Sequence, residues 1–307
     1  MGKLKKMALW QKILLSLFVL LLVSVGGAYF YIHNLLDKTE KVEINEENLG
    51  ITPENKELAV KNKGVTNIAL FGVDAQEGKT GRSDAIMILT IDKDHDKIKL
   101  SSIMRDSYTD INGRGKDKIT HAYAFGGPEL ALNTINKNFN LSIDKFITVN
   151  FTTLPKIVDK IGGIEMYLTE GDLKYMKYSN LSTGKNTLNG AQALSYARIR
   201  YDGGDQRRTE RHRNVITAIF NKIKGMPVSS YPGTLNELLP LVSTNISSSQ
   251  FMTLGKDIIS TGATSMEEYR VPCNNHSNGK NINGVYYMTF DISAETKELH
   301  KFIYEDN

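Results

Sequence analysis

The longest unbroken apolar run in the chain is Ile13 to Ile32, ILLSLFVLLLVSVGGAYFYI, which holds no charged residue. At about 1.5 Å per helical residue it spans about 30 Å, the hydrocarbon thickness of a bilayer, and it predicts one transmembrane helix over 13–32. Lys3, Lys5, Lys6 and Lys12 precede it, whereas His33, Asp37, Lys38 and Glu40 follow it. That asymmetry places a tail of residues 1–12 in the cytoplasm and everything after residue 32 outside. A cleaved signal peptide is the competing reading. The run exceeds the usual apolar region of such a peptide, and no clean A-x-A site follows it.

Beyond the run the pattern changes. Residues 33–63 are polar and predict a stalk, within which Thr52-Pro53 reads as an N-cap followed by proline at the first helical position. VTNIALF (65–71) predicts a buried strand, and AIMILTI (85–91) with KIKLSSIM (97–104) predicts a hairpin around DKDHD. FITVNF (146–151) and IEMYL (164–168) read as further strands. Helices are predicted for PELALNTINKNF (128–139), TLPKIVDKIG (153–162), 190–198 and RHRNVITAIFNKIKG (211–225), the last with a stripe at Val215, Ile216, Ile219, Phe220 and Ile223. Residues 226–307 read as mostly helical with one strand near Glu268–Val271. This alternation predicts one extracellular α/β domain over 64–307, with a central mixed sheet flanked by helices.

Composition narrows the function. The 307 residues are 40% apolar and 23% charged, which fits neither a disordered nor a polytopic membrane chain. Of the net charge of +4, residues 1–40 carry +3, from five lysines against Asp37 and Glu40. No nucleic-acid-coating surface follows from so neutral a remainder. The single cysteine, Cys273, rules out a disulfide scaffold and any Cys-based zinc site, and the six histidines do not fall at ligand spacing, which argues against a zinc hydrolase.

Three segments carry candidate chemistry. In GVDAQEGKTGRSD (72–84), Asp74 follows one predicted strand and Asp84 precedes the next, so two neighbouring strand ends bring two carboxylates together, as Mg²⁺ prefers. The alternative is that both serve the turn. A P-loop resemblance in the same segment fails on spacing and on the strand that follows it. The segment ARIRYDGGDQRRTERHR crowds Arg198, Arg200, Arg207, Arg208, Arg211 and Arg213 together, and arginine rather than lysine suits bidentate anion binding. If Arg198-Ile199-Arg200 is extended, both guanidiniums share a face. Arg208 and Arg211, three apart, share a helix face. A solvated, salt-bridged helix start is the alternative here. In SSIMRDSY (101–108), Arg105-Asp106 ends a strand beside the first loop. Together the three segments describe a divalent metal and a ring of arginines around a polyanion, the parts that phosphoryl transfer needs.

The ordered series NIALFGVD, GRSDAIMILTI, SSIMRD, ITHAYAFGGPE, VDKIGGIE, TLNGAQALSYARIRY and DQRRTERH resembles the LytR–CpsA–Psr family of Gram-positive cell-wall proteins. The resemblance implies an extracellular phosphotransferase that moves a glycopolymer from a polyprenyl-pyrophosphate carrier to peptidoglycan. It implies that Asp74 and Asp84 hold Mg²⁺, with Mn²⁺ as the alternative ion. Arg82, Arg105, Asp106, Asp205 and Arg208 become candidate catalytic groups, and Arg105, Arg198, Arg200, Arg211 and His212 candidate pyrophosphate ligands. Two positions depart from the family pattern: Met104 stands where proline is usual, and His212 where glutamine is usual. Imidazole can also donate, so the substrate contact is expected to survive at His212. The carrier's lipid is expected to lie in an apolar tunnel lined by helices 128–139 and 211–225. A membrane-anchored regulator of cell-wall genes and a non-catalytic wall-binding module are the other readings.

Overall fold

A computed structural model describes residues 40–74, 81–200, 204–227, 230–273 and 275–306. The expected transmembrane segment and cytoplasmic tail lie outside them. In chain order the strands are β1 (Glu40–Lys41), β2 (Val65–Asp74), β3 (Arg82–Asp92), β4 (Lys97–Ile103), β5 (Tyr108–Ile111), β6 (Gly115–Lys118), β7 (Lys145–Asn150), β8 (Ile164–Leu168), β9 (Gly184–Leu188), β10 (Val242–Thr244), β11 (Met266–Val271), β12 (Ser277–Ile282) and β13 (Val285–Phe290). The α-helices are α1 (Pro53–Lys61), α2 (Thr120–Phe139), α3 (Leu154–Lys160), α4 (Glu170–Met176), α5 (Gly190–Ala197), α6 (Gly204–Lys224), α7 (Tyr231–Leu238), α8 (Ser248–Ser260) and α9 (Ile292–Tyr304).

Seven strands form a central mixed sheet in the order β1-β10-β7-β2-β3-β4-β11. β2 pairs antiparallel with β3 and parallel with β7, and β11 joins β4 in parallel. Strand periodicity divides the side chains between two cores. Ala69, Phe71 and Val73 of β2 meet Leu132, Ile135 and Phe139 of α2 and Leu299 and Ile303 of α9 on one face. Ile68 and Leu70 face the opposite way, among Phe220 of α6 and Leu254 and Phe251 of α8. Both faces are therefore covered, which explains why β2 and β3 read as nearly continuous apolar runs. A third cluster joins α3, the β8–β9 hairpin, α5 and the middle of α6 through Val158, Ile164, Leu188, Tyr196 and Val215.

Local signals fix the elements that carry the site. At α5, Asn189 caps the helix and Gln192 reaches back to the cap, a reciprocal capping box. Gly190 lies against the backbone of Pro155 so closely that any side chain there would collide with the Pro155 carbonyl. The sequence TLNGAQAL thus seats α5 on α3. α2 is broken where Gly127 takes φ 61, and Pro128 restarts it, matching the predicted start at 128.

Two expectations need correction. The described part of the 33–63 segment is not a free stalk, because β1, a 3₁₀ turn at Glu46–Leu49 and α1 are built into the domain. Leu49 is fully buried, and Asn136 of α2 donates to its carbonyl at 2.9 Å. Residues 226–307 are not mostly helical either. They supply two strands of the central sheet and the β12–β13 hairpin, whose turn places Asn283 at φ 51 and Gly284 at φ 81.

One buried ion pair pins the chain's end. Lys99 is 1% exposed, and its Nζ donates to Asp92 at 2.7 Å and to the carbonyls of Ile303 and Glu305 at 3.2 and 3.0 Å. Lys99→Ala leaves the Asp92 carboxylate buried with only His95 beside it, and should destabilise the domain by about 3 kcal/mol. Lys61→Ala, which removes an exposed pair with Glu57, should leave the urea midpoint unchanged. Equal midpoints for both variants would show that Lys99 is not a structural anchor.

Candidate active site

Asp84 sits where the β2–β3 register breaks. Gly72 pairs with Ala85 and Val73 with Ser83, which leaves Asp84 as the extra residue of a bulge. A bulge turns a side chain out of the regular alternation. Here it delivers the carboxylate to two arginines from distant segments. Arg208 Nη2 donates to Oδ2 at 2.6 Å, and Arg105 Nη1 donates to Oδ1 at 3.0 Å. The Asp84 side chain is only 7% exposed. Burial alone would raise its pKa, but the two guanidiniums prevail and hold it below the ordinary carboxylate range. Asp84 is thus a fixed negative charge at neutral pH and a poor base.

Arg208 is 4% exposed, and its Nε and Nη1 have no hydrogen-bond partner. A guanidinium has five N–H donors, and leaving several of them buried without an acceptor is costly. The arrangement suits an incoming anion. Arg105 also lies 3.7 Å from Asp106, whose other oxygen is held by Lys118 at 2.7 Å. The Asp106 carbonyl accepts from the Met288 amide at 2.8 Å. Asp106 is therefore bound up in positioning the Arg105 turn. Lys118, beside it, was not singled out from sequence, since nothing in GKDK distinguishes it from a solvated lysine.

At the rim, Arg198 is the C-cap of α5 and approaches Asp74 at 3.5 Å, with both side chains about half exposed. Its guanidinium lies 5.7 Å from the Phe151 ring centre. Ile199 is buried and Arg200 exposed, and both arginines line one surface groove with Lys174 of α4. Arg82 is exposed and pairs in register with Asp74 across the strand ends. Asp205 lies in the first turn of α6, beside the described arginines of that helix.

Two expected ligands have other partners. Arg211 is buried and donates from Nε to Asp172 at 3.2 Å, the residue that completes the capping box of α4. It fastens α6 to α4, although Arg208, three residues earlier, faces Asp84. His212 is also buried, and its Nε2 lies 3.2 Å from the Ala197 carbonyl, which can only accept. Burial first, then the Arg208 and Arg105 cations, push its pKa down from 6.5 to about 3. The neutral ring therefore spends its single N–H on Ala197. The expectation that His212 donates to a pyrophosphate is corrected on that ground.

His212 instead helps to line an apolar cavity of about 190 Å³, with Phe71, Gly72, Ala85, Phe151 and Val215 among its walls. Ala85 follows Asp84 and Ala197 precedes Arg198, so the charged cluster and the apolar cavity adjoin. A Cβ on Gly72 would lie 2.9 Å from that of Ala85, so only glycine keeps this part of the wall open. Of the two helices expected to line a lipid tunnel, α6 contributes Val215 and Ile216. α2 does not, because Leu132, Ile135 and Phe139 are spent on the opposite core.

A bulged aspartate held between two arginines thus stands beside an apolar cavity. The chain belongs to the LytR_cpsA_psr family, whose model matches residues 21–302. It is 31% identical to "Polyisoprenyl-teichoic acid--peptidoglycan teichoic acid transferase TagU" of Bacillus cereus, over 97% of this chain and 96% of that one. It is 34% identical to "Regulatory protein MsrR" of Staphylococcus aureus, over 73% of this chain and 69% of that one. Among solved structures it resembles YwtF (TagT) with bound octaprenyl pyrophosphate lipid, with a TM-score of 0.63 and 26% identity. That match covers 79% of this chain and 91% of the other, and TagT is a Bacillus subtilis protein.

The neutral, buried His212 makes a pH prediction. The unfolded chain binds a proton at this residue below about pH 6.5, and the folded chain only near pH 3. Stability from this group is therefore present above pH 6.5 and is lost on acidification, at up to about 1.4 kcal/mol per pH unit. His212→Gln should flatten the fall in denaturant midpoint between pH 6.5 and 4. Parallel curves for the two proteins would show that the ring is not held neutral.

Proposed function

We propose that this chain transfers an anionic glycopolymer from a polyprenyl-pyrophosphate carrier to peptidoglycan, forming a phosphodiester link and releasing polyprenyl phosphate. The observation that carries the reading is the juxtaposition of Arg208, buried with unpartnered donors, and the apolar cavity behind His212. A prenyl pyrophosphate is both greasy and doubly phosphorylated, and each part has a complementary wall. The names of the relatives and the octaprenyl pyrophosphate in the TagT structure point the same way.

In this account Arg208 and Arg105 bind phosphate oxygens while Asp84 keeps both guanidiniums in place. Arg198, Arg200 and Arg82 close over the outer oxygens from the rim, and the cavity takes the first isoprene units. A sugar hydroxyl of the acceptor forms the new P–O bond as the bond to the polyprenyl phosphate breaks, and the hydroxyl's proton passes to the departing phosphate or to water. Fixed cations around the departing phosphate stabilise charge where it develops, so no protein nucleophile is needed.

Asp74 and Asp84 would hold the Mg²⁺. Their chemistry fits a hard cation that takes most of its ligands from water and phosphate. Asp74 is half exposed, and each Asp84 oxygen retains a lone pair beside its arginine. Such an ion would supply further charge neutralisation at the phosphates. The N-terminal apolar run would anchor the chain in one pass with this domain outside. Protease added to intact protoplasts should then digest the domain, and a protected domain would refute that topology.

The test of the site compares two arginines. If Arg200 grips phosphate as a flat fork, Arg200→Lys should lower polyprenyl-phosphate release by about tenfold or more, since charge-assisted hydrogen bonds contribute about 1.5–3 kcal/mol each. Arg207 is exposed and only 3.7 Å from Glu210, so Arg207→Lys should change release by less than about twofold. Arg213 does not serve as the control, because its Nε donates to Glu268 at 3.0 Å and ties α6 to β11. Equal, small losses at Arg200 and Arg207 would move the phosphate site elsewhere.

A further inference from the structure

Away from the arginine cluster, three metal-type side chains meet where β11 ends. Cys273 lies two residues past β11, His276 one residue before β12, and Glu295 in the first turn of α9. One ligand atom from each lies within 4.8 Å of the other two. His276 Nδ1 is 3.4 Å from Cys273 Sγ and 3.3 Å from Glu295 Oε2. Glu295 is fully buried, whereas Cys273 and His276 are partly exposed. We propose that Cys273, His276 and Glu295 form a binding site for a thiophilic divalent cation of the Zn²⁺ class, separate from the carboxylates at the arginine cluster.

The distances support it. Zn–N and Zn–O bonds of about 2.0–2.1 Å and a Zn–S bond of about 2.3 Å at tetrahedral angles put N and O about 3.3 Å apart, and S and N about 3.5 Å apart. The protein already holds Nδ1 at those separations from Oε2 and Sγ. The obvious rival is a Cys–His–Glu nucleophile relay, and it fails on connectivity. A relay needs one ring nitrogen for the thiol and the other for the carboxylate. Here both partners converge on Nδ1, which can carry only one hydrogen. The relay is therefore excluded, and what a cation would use is the mutual closeness of the three donor atoms, all within 4.8 Å of one another.

The surroundings supply an outer layer. Tyr269 donates its hydroxyl to Glu295 Oε1 at 2.9 Å, and the Cys273 amide donates to Oε2 at 3.0 Å, so the buried carboxylate is oriented before any ion arrives. Its partly exposed neighbours give an entry path. On binding, Cys273 would release its thiol proton to solvent and His276 would carry its remaining hydrogen on Nε2. Three protein donors leave a fourth position for water. A single cysteine excludes a Cys-based zinc site only where the other ligands are cysteines too; in Cys273-x2-His276 the third ligand, Glu295, is 19 residues further on.

The site would brace the active centre. The Val271 carbonyl accepts from the Met104 amide at 2.7 Å, immediately before Arg105. A cation joining residues 273, 276 and 295 would tie that strand end to α9.

The test uses the purified chain with Co²⁺ and Zn²⁺ as probes, in millimolar Mg²⁺ to occupy hard-oxygen sites. One equivalent of Co²⁺ should give a thiolate-to-cobalt band in the near ultraviolet, displaced by Zn²⁺, and Zn²⁺ should raise the melting temperature. Cys273→Ser should abolish the band, and His276→Ala should weaken Zn²⁺ retention by at least about tenfold, since loss of an outer-layer partner alone costs that much. Both replace partly exposed residues, and circular dichroism would confirm that they fold. No band in the natural protein, or stoichiometric Zn²⁺ retained equally by both variants, would overturn the proposal.

Discussion

The pairing of Asp84 with Arg208 is the constraint on which the site depends. Two positive guanidiniums cannot be held together in a largely buried place without a counter-charge between them, and Asp84 is that charge. The pairing also fixes order in the chain. It joins a bulge in β3, the turn after β4 and the second turn of α6, segments up to 124 residues apart, into one cluster. Since each Asp84 oxygen takes one guanidinium, Arg208 is left with buried donors aimed at no protein group. Those buried donors are the ones that the proposed function assigns to phosphate oxygens.

The rest of the fold can be read as support for that cluster. The central sheet presents the ends of β2, β3 and β7 together, and α6 crosses over them with Arg208 on one face and Val215 in the core. Arg211 and His212, one turn on, bond to Asp172 and Ala197 and so hold α6 against α4 and α5. The helix therefore approaches the sheet at one fixed rotation. The gap this leaves between α6 and the β2–β7 strands, kept open by Gly72, is the apolar cavity. One packing arrangement yields both the charged cluster and the apolar cavity beside it.

Much of this was legible in the sequence where a signal is local. Continuous apolar runs gave β2, β3 and β4 because both sheet faces are covered, and the density of arginine marked the segment whose Arg208 pairs with Asp84. What escaped has physical reasons. The segment from Glu40 to Lys61 reads as polar because the apolar side chains that dock it, Val42, Ile44, Leu49 and Ile51, are few and separated, and because amides of α2, Asn133 and Asn136, donate to the Asn48 and Leu49 carbonyls. Hydropathy is blind to such bonds. The β12 strand, SNGKNI, is mostly exposed and has no apolar stripe to betray it, although Asn283-Gly284 carried a hairpin signal. Helix spacing and the family resemblance point to Arg211 as a ligand, and the resemblance alone to His212, and neither tells which carboxylate or carbonyl lies opposite. That is set by tertiary packing.

The central claim is that one site binds a lipid tail and its pyrophosphate together, through the cavity and Arg208. The most direct measurement is the affinity of the purified chain for geranylgeranyl pyrophosphate, set beside geranylgeraniol and inorganic pyrophosphate, in the natural protein and in Arg208→Gln. The account predicts that the prenyl pyrophosphate binds far more tightly than either fragment, and that Arg208→Gln removes most of the advantage over the alcohol while leaving the alcohol's own affinity unchanged. Equal affinity for the alcohol and its pyrophosphate, or a folded Arg208→Gln protein that binds the pyrophosphate as well as the natural one, would contradict it.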